Sequence, residues 1–529
     1  MSTILTIAKR EVTRLRSRFR GGSRLVVTLI LAASFLIAYL AFREGAFRGR
    51  GLYRVGVSPD VPPIRDSRFD SVTVAPSLGY STLEAGEIDV YVDGAQVIHS
   101  GKEKSLYAAN ALKLYLETQE LARIGEDYET DRAFPLRVEI ARFPVDSPPE
   151  DRETVVPSLM SPPLPFARVV TVSIYLLPIF FVSVFFISGF MDEKADRRIT
   201  VLLSAPVSPF HIIVGKMLPY VVFTLASVIG ITIVLQGDVL LALAIFAPVV
   251  LFTFAVYLMV PLVYRTFKDT TFITMFATVV ITTYLIFPAM FSGVSDLSYI
   301  SPLTLAVEMY RGQPFGLKAY LTSAASMYLI FTLSVYIGTR ILNEEYLTRF
   351  RPLYRKVADA VYLAINRDHV YLSVTLLSAF LIPIVYMIQL VSLAISLNLP
   401  IRYAIVVLLL LSVVAEEIAK SVGIVTLIEN NVVKTARGVV GLAFLSALGF
   451  LVGEKLLLFV SVSVVSESAF STAIFNSGML LIPLAAHFVF TTIVCLLTRR
   501  LSVKRYPYVI AVGAIIHALY NLYVIGVLS

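Results

Sequence analysis

Eleven separate stretches of about 18 to 27 predominantly apolar residues dominate this chain of 529 residues. A helix needs about 20 such residues to cross the hydrocarbon core of a bilayer, so the repetition of that length constrains the fold more than any single motif does. A soluble chain is about 45–50% apolar, whereas this one is 57% hydrophobic with a mean hydropathy of +0.79. Solubility as one globular unit is therefore excluded. The formal charge of +8 does not point to nucleic acid, because the basic residues cluster at the ends of apolar runs and no nucleic-acid reader motif accompanies them. A lone cysteine, Cys495, excludes an internal disulfide and any cysteine-cluster metal site.

Taken in order, Lys9, Arg10, Arg14, Arg16, Arg18, Arg20 and Arg24 precede a first span at about Leu25 to Phe42, which places the N-terminus in the cytoplasm. Residues 43–165 are too charged to cross a bilayer. Short β-branched runs at Tyr53 to Ser58, Ser71 to Ala75, Ile88 to Val92 and 137 to 143, with a helical Lys104 to Ile124, predict a small α/β extracytoplasmic domain. Prolines 144, 148, 149, 157, 162, 163 and 165 form an extended connector back to the membrane. Five spans follow, at about Phe166 to Phe190, Leu218 to Leu235, Val239 to Tyr264, Phe272 to Phe291 and Ala319 to Ile341, completing a unit over 166–342. A basic cytoplasmic linker, 343–369, separates this from five more spans over 370–529, at about Tyr371 to Leu397, Tyr403 to Ile428, Val439 to Val465, Met479 to Leu497 and Tyr508 to Val527. The expected fold is an all-α polytopic membrane protein of about 11 transmembrane helices (6 + 5), with the α/β domain between helices 1 and 2 and a multi-pass location in the cytoplasmic membrane.

Three short motifs occur in order in the first half. They are Ile7-Ala8-Lys9-Arg10-Glu11 before the first span, Glu193-Lys194 with Arg197, Arg198, Leu203, Pro206 and then Gly215-Lys216 after the second, and Ser301-Pro302-Leu303-Thr304 after the fifth. Residues 1–345 thereby resemble the ABC type-2 exporter permeases, closest to their NatB-like branch. The resemblance implies that Glu193, Lys194, Arg197, Arg198, Leu203 and Pro206 belong to an ATPase-contacting loop. It also implies a separate ABC ATPase subunit and a second permease copy or paralogue as partners. The chain has no phosphate-binding loop of its own, since Gly215-Lys216 is followed by Met217 rather than Ser or Thr. ATP would enter only through the partner.

The second half carries polar residues where they are costly. Glu416, Glu417 and Lys420 lie in one apolar run, Glu454 in the next, His487 in the third, and His517 with Asn521 in the last. Glu416 precedes Glu429 by 13 residues, Glu454 follows Arg437 by 17, His487 precedes Arg499 by 12, and His517 follows Arg505 by 12. At 1.5 Å per residue these put all four groups about 18 to 26 Å from the charged helix ends, one common depth. Lys420 can balance one carboxylate, and a pair of poorly hydrated glutamates should share a proton. Such a carboxylate can serve as general base toward water with a histidine assisting. His517 and Asn521 share a helical face and can address one atom, and Gly449 and Gly453 permit close helix approach beside Phe450 and Glu454.

Glu-Glu-x-x-Lys at 416 to 420, Phe-x-x-x-Glu at 450 to 454, a lone span histidine at 487 and His-x-x-x-Asn at 517 to 521 are similar to the glutamate-type intramembrane peptidases of the PrsW and CAAX-processing (CPBP) superfamily. The glutamate at 454 follows the PrsW branch. The resemblance implies that Glu416 or Glu417 activates water, that His487 assists or ligates, and that His517 with Asn521 holds an oxyanion on a membrane-associated peptide substrate. A divalent metal on Glu454, His487 and His517 stays open. So do two other classes, a transporter whose acidic and histidine cluster is a proton or ion relay and an inactive, peptidase-like structural module.

Overall fold

The computed structural model describes residues 2–18, 32–37, 39, 53–127 and 139–142 with short gaps, 169–465 except 171, 293–295, 313, 350 and 398, and 481–528. The expected first span at 25–42 falls largely outside these residues, as does the proline-rich connector. The chain divides into a smaller unit, Ala38–Thr171, and a larger one made of the remaining segments.

In the smaller unit five strands, β1 (Tyr53–Val57), β2 (Phe69–Thr73), β3 (Val90–Asp93), β4 (Gln96–His99) and β5 (Glu139–Arg142), form one mixed sheet in the order β2-β1-β3-β4-β5. Only the β3–β4 pair is antiparallel. Alternation along β3 sends Val90 and Val92 to one face, where Ala108, Ala109 and Leu112 of a helix at Glu103–Asp127 cover them. Tyr91 goes to the other, against Leu83 of a helix at Pro76–Ala85. That second helix can approach only because Gly79 has no Cβ, which would sit 2.4 Å from the Tyr91 ring.

The larger unit is helical. Its first helix is α1 (Ser2–Arg18). After a turn of 3₁₀ helix at Ser173–Tyr175 come α2 (Leu176–Ala195), α3 (Arg198–Leu203), α4 (Pro209–Val234), α5 (Val239–Val263), α6 (Phe267–Ala289), α7 (Pro302–Arg311) and α8 (Leu317–Ile341). The second half contributes α9 (Glu344–Thr348), α10 (Leu353–Ala364), α11 (Val370–Ser396), α12 (Ile401–Glu429), α13 (Ala436–Val465), α14 (Leu481–Leu501) and α15 (Tyr506–Leu528). Eight helices among the described residues are long and apolar enough to cross a membrane: α2, α4, α5, α6, α8, α11, α13 and α14. The protein is thus an all-α polytopic membrane protein. Helices α12 and α15 are long enough too, at 29 and 23 residues, but Glu416, Glu417 and Lys420 break the apolarity of the first.

Helix starts follow local chemistry. Asp238 caps α5 by accepting from the Leu241 N–H at 2.9 Å, and Thr266 caps α6 through Asp269 at 3.1 Å. Pro209 occupies the first turn of α4 behind Ser208. Its missing N–H costs nothing there, so the expected span at 218–235 begins nine residues earlier, at 209.

The two helical halves pack on each other through α8, which meets α11 and α13, and through α6 against α11. Within the second half α11 runs along both α12 and α13. A Cβ at Gly449 would lie 2.1 Å from the Thr375 carbonyl oxygen, and one at Gly453 would lie 2.9 Å from that of Ala379. These two glycines therefore set the close approach of α13 to α11, which fixes where Phe450 and Glu454 point.

Candidate functional site

Helices α12, α13, α14 and α15 bring their polar groups to one buried place. Glu417 and Lys420 lie one turn apart on α12, and both are almost fully buried. The Lys420 ammonium donates to Glu417 Oε1 at 2.5 Å and to His487 Nδ1 of α14 at 3.1 Å. It also lies 5.1 Å from the centroid of the Phe450 ring of α13, a cation–π distance. His517 of α15 donates from Nδ1 to the same Glu417 oxygen at 2.9 Å. His487 Nε2 faces Glu454 Oε2 at 3.5 Å, and Lys455 holds the other Glu454 oxygen at 2.8 Å. The Lys420 carbonyl is fixed as well, accepting from Ser446 at 2.6 Å, with Ser378 of α11 behind it at 2.6 Å.

This geometry separates the two adjacent glutamates. Glu417 accepts from both Lys420 and His517, and as the acceptor of His517 Nδ1–H it leaves the lone pair of that ring on Nε2. Glu416 points elsewhere and is the more open, with its side chain 17% exposed. Gln389 of α11 donates to Glu416 Oε1 at 3.1 Å, while Oε2 lies 3.9 Å from His517 Nε2. That gap is too wide for a direct hydrogen bond and suits one bridging water. Two acceptors, a carboxylate and an imidazole nitrogen, thus face a common point.

The half-buried Asn521 lies one turn beyond His517 and has no hydrogen-bond partner among the described residues. Phe450 meets His487 edge-on at 5.3 Å, and Phe490 stacks on His517 at 4.7 Å, so apolar rings close the cluster on two sides. Gln389 and Lys455 had no place in the reading of the sequence. Gln389 was detectable as the one carboxamide in the apolar run Tyr371 to Leu397. Beside the cluster a cavity of about 420 Å³ lies between the halves, its polar lining Tyr284, Thr322, Ser326, Tyr386, Gln389 and Ser412 and the rest leucine and isoleucine. Gln389 belongs to both the cavity and the carboxylate.

Among the described residues the donors that come together as a possible metal set are Glu416, His487 and His517, all within 4.8 Å of one another, with Glu416 in the place expected of Glu454. His487 has Lys420 on one nitrogen and Glu454 facing the other. The ammonium already serves as the cation of the cluster. With both ring nitrogens engaged, His487 has no free lone pair for a divalent ion in this arrangement.

A second buried ion cluster lies at the start of the first half. Arg14 of α1 pairs with Glu193 of α2, as does Lys216 of α4, and Lys216 reaches Glu11 at 3.3 Å while the Tyr220 hydroxyl donates to Glu11 at 3.0 Å. Gly215 admits α1, since a Cβ there would lie 2.8 Å from Ile7. Glu193 is therefore buried and paired within the protein. Lys194 also turns inward, donating to the carbonyls of Pro261 and Tyr264 at 2.7 and 2.9 Å. Of the remaining loop residues Arg197, Arg198 and Pro206 are exposed and Leu203 is half-buried, beside the exposed apolar Val201 and Phe210.

Fold and site together define a polytopic α-helical membrane protein with a carboxylate–lysine–histidine cluster enclosed by its last helices. No family model, no curated protein and no solved structure matches the chain.

Proposed function

We propose that the chain is the permease subunit of an ATP-driven exporter fused to an intramembrane peptidase that hydrolyses a peptide bond in a membrane-associated or exported peptide. The observation that carries the peptidase half is the convergence of Glu416, Glu417, Lys420, His487 and His517 from three helices, with one glutamate locked and the other facing a water-sized gap. In this reading Glu416 or His517 takes a proton from the bridging water as the oxygen attacks the scissile carbonyl carbon. Glu417 holds His517 in the tautomer that accepts that proton, as the buried aspartate does in a serine-protease triad. The C–N bond then breaks, and the proton passes to the leaving amine. Asn521 is the group free to donate to the oxyanion, since neutral His517 presents a lone pair there. The cavity between the halves would receive the apolar flank of the peptide.

The exporter half rests on the resemblance of residues 1–345 and on the exposed Val201, Phe210, Arg197 and Pro206, which offer an ATPase subunit an apolar and basic surface. With the segment at 25–42, α12 and α15, the spans number eleven, the N-terminus lies in the cytoplasm, and the sheet unit is an extracytoplasmic α/β domain. Peptide substrate, ATPase subunit and a second permease copy are the partners.

Reconstituted protein carrying Glu416→Gln tests the peptidase: cleavage of a native membrane peptide should fall roughly 10²–10⁴-fold, the worth of a general base. Unchanged cleavage refutes it. The continuous chain Glu454–His487–Lys420–Glu417–His517 favours a second reading, a proton relay. That reading requires transport driven by a pH gradient and lost in Glu417→Gln, with no peptide product.

A further inference from the structure

A pocket of about 330 Å³ opens where the turn between α5 and α6 meets the segment between α8 and α10, far in sequence from the cluster just described. Four of its lining side chains are basic, Arg265, Arg349, Arg351 and Lys356, and one, Asp269, is acidic. The acids in reach are engaged. Asp269 accepts from Thr266 at 2.6 Å, Asp359 takes Arg351 in two bonds at 2.7 and 2.8 Å, and Glu345 pairs with Arg349 at 3.4 Å. Lys356 is different. It is 5% exposed, and its Nζ has no hydrogen-bond partner among the described residues, only the face of Tyr346 at 5.4 Å. A buried ammonium without an acceptor is costly, so such a group calls for an anion. Burial, and then the neighbouring Arg265, pull this amine below the usual lysine value, with Asp359 opposing them only in part.

The surroundings suggest where the anion comes from. Helix α10 carries Lys356 inward while exposing Leu353, Tyr354 and Val357, the pattern of a helix lying in the membrane interface. The α5–α6 turn joins two membrane-crossing helices, so the pocket opens at headgroup level. We propose that this pocket binds a phosphate group, that of an acidic phospholipid headgroup, through Lys356 and Arg265. The proposal is independent of the peptidase and exporter readings.

Full-length protein in detergent is titrated with phosphatidylglycerol, with phosphatidylcholine and with inorganic phosphate, and followed by native mass spectrometry and thermal unfolding. Phosphatidylglycerol should be retained over phosphatidylcholine roughly tenfold or more, because both bring a phosphate but only the second brings a choline cation to a pocket lined by four basic side chains. Lys356→Met should abolish that preference and raise the lipid-free unfolding temperature, because it removes an unpaired buried charge; Lys356→Arg should keep the preference. Protection by inorganic phosphate that Lys356→Met abolishes, with no lipid preference, identifies a soluble phosphate as the occupant of the same site. Binding of phosphatidylglycerol and of inorganic phosphate that is the same for wild type and Lys356→Met overturns the proposal. If that variant does not fold, Arg265→Gln takes its place, and unchanged binding there also overturns the proposal.

Discussion

Replacing Lys420 by methionine isolates the ion pair on which the cluster is built. The ammonium is 1% exposed and bonds Glu417 at 2.5 Å and His487 at 3.1 Å, and Glu417 itself is fully buried. Water cannot take over as donor. Removing one partner of a buried pair typically costs about 3–5 kcal/mol, because the other charge is left uncompensated. Glu417→Gln alone should cost a similar amount by orphaning Lys420. In the double variant both charges are gone, so the loss should fall short of the sum by roughly 1–3 kcal/mol, the coupling expected of residues in direct contact. The assay is denaturant unfolding in mixed micelles, read by far-ultraviolet circular dichroism and by tyrosine fluorescence, which the 27 tyrosines and absent tryptophan make usable. Additivity within about 0.5 kcal/mol would refute the pairing.

Other expectations follow from single contacts. Gly449→Val drives a side chain into the Thr375 carbonyl and should destabilise by at least about 1–3 kcal/mol, whereas Gly441→Ala, whose Cβ meets only the Tyr371 ring at 3.9 Å, should be near neutral in the same unfolding assay. Chelators should leave cleavage unchanged, because Lys420 already fills the cationic role; inactivation restored by zinc would reverse that conclusion. Phe210→Asp with Val201→Asp should reduce copurification of an ATPase subunit while leaving unfolding unaltered. Glu193→Gln should instead reduce the yield of folded protein, since that carboxylate is shared by Arg14 and Lys216.

The helical, membrane-crossing nature of the chain was legible because bilayer thickness imposes its length on every span. The cluster was legible for the opposite reason: Glu416, Glu417, Lys420, His487 and His517 are expensive in apolar runs and must find one another. The division of labour between the glutamates was not legible. It depends on Gln389 and His517 choosing one neighbour each, and helical spacing alone leaves both options open. Nor could the sequence reveal that Glu11 meets Lys216 across 205 positions, because a carboxylate in a basic amphipathic helix looks like any solvated charge. Strand β4 was missed because its apolar run is only Val97 and Ile98, between turns at Gly94 and Gly101. The start of α4 was placed nine residues late because Pro209 sits inside its first turn, where a proline punctuates a helix without ending it.

The claim that matters most is that Glu416 and His517 flank a hydrolytic water. Mass spectrometry of peptides released by reconstituted protein in ¹⁸O-labelled water addresses it directly. The account predicts ¹⁸O in the new carboxyl terminus of a released peptide with the wild-type protein, and its loss with an equally well folded Glu416→Gln variant. No labelled product from the wild type, or equal labelling by both proteins, would contradict it.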